Sequence, residues 1–231
     1  MRSSVRRLIG ILLVGLAPVA AAAPCASDTL ANYLALGSCE IGTTAFSGFA
    51  SLPTLPAGST PIASSAITVV PLVSPGNPGF TFVLNAVAGA GEVLSILIQF
   101  QAMAAAFTGA SAAIGGAGIG GDGVALNIED LCIDGTFANP PSDCGGTPAT
   151  LLAFADANGS QLLDSITFGP ATLLDVVVNF IIDGGLTGSA SLESGTVQFV
   201  TGANGIPEPS TLALVLLAAL LLARRRSTVH A

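Results

Sequence analysis

The sequence predicts an all-β fold: an antiparallel β-sandwich or jelly-roll-like body that opens with one short helix and is flanked by an apolar helix at each end of the chain. Three observations predict it. About nine short apolar, β-branched runs are separated by Gly, Pro and Asn, the spacing of a sandwich. Charged residues make up only 9% while Gly numbers 28 and Pro 14, a composition of loop-rich folded chains and not of disordered ones. The length of 231 residues fits one domain plus terminal segments.

The elements follow in order. Residues 1–22 start Met1-Arg2-Ser3-Ser4-Val5-Arg6-Arg7, continue with an apolar run over 8–20 and end in Ala20-Ala21-Ala22-Ala23. This is the basic, apolar, small-residue order of a secretory signal peptide, read by the Sec export machinery, with cleavage after Ala21 or Ala22. Cys25 is no lipidation site, because Pro24 directly before it spoils the small-residue position.

Residues 23–203 form the body. The run 27–37 has a capping residue, helix-compatible apolar spacing and a terminal Gly37, and predicts one short helix. Strands are expected over 41–49, 66–73, 79–87, 93–102, 124–128, 147–154, 165–168, 172–182 and 196–201. The Ala-rich stretch 101–113, interrupted by Thr108-Gly109, predicts a strand pair, and the Gly-rich stretch 115–123 a turn or hairpin crossing.

Four cysteines remain after signal removal: Cys25, Cys39, Cys132 and Cys144. An even count in an exported chain implies two disulfides. Three connectivities exist, and Cys25–Cys39 with Cys132–Cys144 is preferred because each closes a short local loop. A zinc site lacks the C-x-x-C spacing and any His in the body.

Charge is distributed unusually. The six cations are Arg2, Arg6, Arg7, Arg224, Arg225 and Arg226, and the one His is His230, so residues 24–207 contain no Lys, Arg or His. Thirteen of the fourteen carboxylates lie there. Without basic groups to neutralise phosphates, nucleic-acid binding is excluded. Ser-His, Cys-His, Ser-Lys and Schiff-base chemistry lack their base or amine, and phosphoryl transfer lacks its clamp. The body is therefore expected to be non-catalytic, carboxylate-only glycoside cleavage being the enzyme alternative, with no acid pair nominated.

Calcium is the one cofactor the residues suggest. Asp156, Asn158, Ser160 and Asp164 stand at the first, third, fifth and ninth positions of a loop, yet the sixth is Gln161 and the twelfth Thr167. A hairpin turn at Asn158-Gly159 is the competing reading. Glu129, Asp130 and Asp134 are expected to form a solvated edge. Most of the eleven Phe are expected in the core.

Residues 204–231 form a tail. It holds Pro207-Glu208-Pro209, an uncharged apolar stretch over 210–223, and Arg224-Arg225-Arg226. The stretch is shorter than the about 20 residues of a full membrane span, a mismatch met by local thinning or snorkelling. The arginines stay cytoplasmic under the positive-inside rule.

In this order of parts the tail resembles the PEP-CTERM sorting domain, also catalogued under an ice-binding label. The resemblance implies a transmembrane precursor in the inner membrane of an exopolysaccharide-producing Gram-negative bacterium. An exosortase would recognise Pro207, Glu208 and Pro209, with delivery to the envelope, cell surface or matrix. The body resembles ectodomains that precede such tails, through Cys25, Leu30, Ala31, Tyr33, Gly37, Ser38, Cys39, Ile41, Gly42, Phe46 and Phe49. That resemblance implies a secreted β-sandwich and carries no catalytic residues. The function expected is a non-catalytic surface or matrix protein, the alternative being an adhesin-like calcium- or glycan-binding module with exopolysaccharide as a partner.

Overall fold

The structure is a computed structural model that describes residues 22–53, 56 and 58–202. The expected signal peptide before Ala22, the motif Pro207-Glu208-Pro209, the expected membrane stretch and the Arg224-Arg225-Arg226 end lie outside the described residues. Among the described residues no helix is long and apolar enough to cross a membrane.

In chain order the elements are β1 (Asp28–Thr29), α1 (Leu30–Leu36), β2 (Ser38–Ile41), β3 (Thr44–Leu52), β4 (Thr60–Pro61), β5 (Thr68–Ser74), β6 (Asn77–Ala88) and β7 (Val93–Gly115). They continue with β8 (Gly118–Gly120), β9 (Val124–Ile133), β10 (Phe137–Asn139), β11 (Ser142–Cys144), β12 (Thr147–Asp156), β13 (Gly159–Gln161), β14 (Leu163–Asp183) and β15 (Ser189–Thr201). Among the described residues the fold is all-β and antiparallel apart from the short parallel contact of β4 with β7 and the parallel bridge of Pro24 with Glu40.

Two layers arise because β7 and β14 are long enough to serve both. One layer runs β1-β5-β6-β15 and then takes in the second half of β7, beside the first half of β14. The other runs β2-β3, the first half of β7, the second half of β14, β9, β12 and β13. Register shifts between Thr167 and Leu173 of β14 mark the crossing, where irregularity bends a strand. The expected strand pair over 101–113 is therefore corrected: it is one continuous strand. Small residues permit this, since a Cβ at Gly109 would lie 2.8 Å from the Ile166 carbonyl.

Other boundaries also differ. The expected strand 41–49 is a hairpin, β2 and β3, folded at Gly42-Thr43 with Gly42 at φ +61°. The helix is shorter than 27–37, because Asp28–Thr29 pairs with β5 first. Its cap is Thr29, whose hydroxyl accepts from Asn32 N–H at 3.3 Å, and Gly37 ends it at φ 77°. The Gly-rich stretch contains the short strand β8 on β15.

The aromatic residues meet between the layers. Phe80 of β6 lies 4.7 Å from Phe46, 5.7 Å from Phe49 and 5.8 Å from Phe100, ring centre to ring centre, each roughly edge to face. Tyr33 from α1 closes the cluster edge-on to Phe49 and Phe80. Phe82 and Phe180 join the layers further along. Phe154 and Phe168 are half-buried, while the other Phe are in the core.

A second, smaller apolar cluster sits outside the sandwich. The hairpin β10–β11 folds over the outer face of the second layer and buries Phe137 against Leu97, Val177 and Cys132. The disulfide Cys132–Cys144 ties this hairpin to β9. The disulfide Cys25–Cys39 ties the entering chain to β2, where Cys25 N–H and Glu40 C=O also bond at 2.9 Å.

Candidate functional site

With no cation in the body, its carboxylates need other partners, and several find them in backbone N–H groups of loops. Asp122 accepts from Leu186 and Thr187, joining the β8–β9 turn to the β14–β15 loop. Asp134, held at φ 52°, accepts from Thr172 and Leu173 at 2.8 and 3.3 Å. Asp28 accepts from Thr29 N–H and the Asn32 side chain. Such charge-assisted bonds are stronger than neutral ones and favour the ionised form. Asp28 and Asp122 are accordingly held below the usual carboxylate range: Asp28 first by the Asn32 amide, Asp122 first by Leu186 N–H.

The proposed calcium loop is built the same way. Asp156 Oδ1 accepts from Asn158 and Gly159 N–H at 2.6 and 2.9 Å, closing the β12–β13 hairpin around Ala157-Asn158. Asp164 lies away from it: its Oδ2 accepts from Leu152 N–H on the open edge of β12, its Oδ1 from Ser165 N–H. Ser160 is exposed on β13. Asp156 and Asn158 thus share one backbone lock, Asp164 makes another and Ser160 belongs to neither, and among the described residues no group of three or more His, Cys, Asp or Glu is placed to hold a metal.

The densest polar constellation lies on the outer face of the second layer. Register sets Ser47 beside Gln101, Gln101 beside Asp175 and Asp175 beside Cys132. The next row sets Gln99 beside Val177, Val177 beside Asp130 and Asp130 beside Thr150. Directly paired residues share a face, so these side chains stand together. Asp175 is buried: Gln99 Nε2 donates to its two oxygens at 3.0 and 3.2 Å, and Phe137 N–H donates to Oδ2 at 2.9 Å. Asp130 is half-buried and accepts from Thr150 Oγ1 at 2.6 Å; burial raises its pKa, which that bond partly offsets. Asp130 and Asp175 are diagonal neighbours, but the hairpin β10–β11 covers Asp175, so they do not face one open cleft. Beside this face a groove of about 350 Å³ runs between Leu52-Pro53, Leu97 and the hairpin residues 138–140. Such an array offers acceptors and amides to hydroxyl groups. The sequence signal was the Asp175–Asn179 run, whose unbroken Val176-Val177-Val178 centre is the pattern of a strand covered on both faces.

Glu129 departs furthest from expectation. Instead of standing on a solvated edge with Asp130 and Asp134, it is fully buried, and neither of its oxygens has a hydrogen-bond partner among the described residues. Burial, and secondarily the Asp130 charge, push its pKa well above the usual range. The reason is register: β9 is central in its layer, so every second residue faces the interior.

A further groove of about 330 Å³ lies at the end of the sandwich where the described chain finishes, lined by residues 41–44, 73–76, Pro78 and Thr201. All of these are uncharged.

No family model matches this chain, and no curated protein matches it. Among solved structures it is similar to TmCBM61, a carbohydrate-binding module in a structure described as its complex with beta-1,4-galactotriose. The similarity covers 71% of this chain and 92% of that one, at 12% identity and a TM-score of 0.30.

Proposed function

We propose that this chain is an exported, non-catalytic surface or matrix protein, inserted in the inner membrane by its tail, cut by an exosortase near Pro207-Glu208-Pro209, and delivered to the envelope or exopolysaccharide layer of a Gram-negative bacterium. The observation that carries this reading is the pairing of two disulfides with a body that has no cationic side chain. Disulfides persist in oxidising compartments, and the cations are confined to the terminal signals. Loss of His, Lys and Arg also removes the usual bases, amines and oxyanion clamps from the body. Mass spectrometry of the mature termini tests the reading. Replacing Pro207, Glu208 and Pro209 by Ala is expected to leave an uncut, membrane-retained chain, and unchanged maturation would refute the assignment.

A second reading, a glycan-binding module, is favoured by the carboxylates and amides gathered on the outer face around Gln99, Gln101 and Asp130. An anionic body repels acidic polymers, so the ligand class is neutral. Titration calorimetry with neutral oligosaccharides that gives no heat removes this version.

A further inference from the structure

Along β9 the residues Ala125, Asn127, Glu129, Leu131 and Ile133 share the face turned into the sandwich. Glu129 stands directly between Val178 of β14 and Leu151 of β12, both buried. Asn127, two positions away, reaches the opposite layer: its Nδ2 donates to Ala113 C=O at 3.1 Å and Thr196 C=O at 3.3 Å. Its Oδ1 and both Glu129 oxygens are without partners among the described residues. An ionised carboxylate in such a place needs a cation or several donors, and without them the group takes up a proton instead.

No compensating charge is near. The described residues include no Lys, Arg or His. The strands packed against Glu129 bring only acids: Asp156 on β12, and Asp164, Asp175 and Asp183 on β14, with Glu193 exposed on β15 of the facing layer. On β9 itself Asp130 points outward to Thr150, and its negative charge opposes ionisation of Glu129. β6 and β7 contribute no ionisable side chain.

We propose that the two layers close on Glu129 as the neutral acid, and that this proton is a pH-sensitive latch which keeps the sandwich tight in acidic surroundings and loosens it as they become alkaline. In the unfolded chain Glu ionises near its ordinary value of about 4.3. Between that value and the raised value in the fold, the folded state keeps a proton the unfolded state has lost. Stability therefore falls as pH rises, by about tenfold in the folding constant for each pH unit, until Glu129 itself ionises. Asp130, also raised, contributes in the same direction and more weakly. Asp28 and Asp122, held low, oppose it: their contribution is present at neutral pH and is lost as pH falls through the acid range. The stability optimum is accordingly mildly acidic.

The test is thermal melting of the full chain in detergent from pH 4.5 to 9, with infrared spectroscopy alongside. Wild type should lose roughly 3–5 °C of melting temperature per pH unit on the descending limb, and Glu129→Gln should flatten that limb and melt higher at pH 8. The infrared stretch of a protonated carboxyl should be visible at pH 7 in the wild type, persist in Asp130→Asn and vanish in Glu129→Gln. If Glu129→Gln does not fold, the wild-type and Asp130→Asn spectra still decide. No protonated carboxyl at pH 7, or an unchanged pH slope in Glu129→Gln, overturns the proposal.

Discussion

Side chains in this protein are arranged around the lack of a counter-cation. With no Lys or Arg to pair with, Asp122, Asp134 and Asp164 bind backbone N–H groups of a neighbouring loop or edge, and Asp156 those of its own turn. Tyr33 follows the same economy of partners: its hydroxyl donates to Ala26 C=O at 2.7 Å, and burial, with the Asp28 charge added, pushes its pKa up to about 12. Small residues matter as much as polar ones. Gly195 of β15 faces the ring of Phe180 on β14, and a Cβ there would run into Phe180 Cε1. Gly195→Ala is therefore expected to cost about 1–3 kcal/mol through forced displacement of that ring. A denaturant midpoint unchanged from wild type would contradict this account of the interlayer contact.

Among the elements, β7 and β14 decide the architecture and β10–β11 decides what its outer face exposes. The hairpin is two three-residue strands, too short to be stable alone. It is held by Cys132–Cys144, by Phe137 in its small apolar cluster and by the Phe137 N–H to Asp175 bond. The double variant Cys132→Ser, Cys144→Ser is expected to lose about 2–4 kcal/mol, and to release the hairpin first, leaving Asp175 short of one donor. Hydrogen exchange is the appropriate measurement: faster exchange at Phe137 with β7 and β14 still protected is the expected pattern. Uniform acceleration across the sandwich would show instead that the hairpin and the main core open together. The corrected elements were misread because local patterning reports neither a turn such as Gly42-Thr43 nor the distant partner that claims Asp28–Thr29 for β5. Thr108-Gly109 reads as a break, yet the strand continues because Gly109 packs closely on Ile166 C=O.

At the scale of the whole molecule, alternation of apolar and polar residues along runs such as Phe80-Thr81-Phe82 made the sandwich legible, and most of the Phe fall between the layers as that alternation requires, Phe137, Phe154 and Phe168 being the exceptions. The two disulfides were legible too, because short loop separations limit which pairs close easily. The candidate site was legible only in composition. That carboxylates would be abundant and cations missing is written in the chain; which carboxylates are exposed is a matter of register. Asp130 and Glu129 are adjacent in sequence and face opposite sides of β9, one toward Thr150 and one into the core. The sequence by itself determined the all-β class, the separation of cationic ends from an anionic body, and that four cysteines make two disulfides with local pairing preferred, since each rests on residue type and short-range spacing; the structure fixes the pairs as Cys25–Cys39 and Cys132–Cys144. Tertiary structure alone decided that Glu129 is interior, that Asp175 lies beneath the β10–β11 hairpin, and that β7 and β14 serve both layers, because burial and strand register depend on partners far away in the chain.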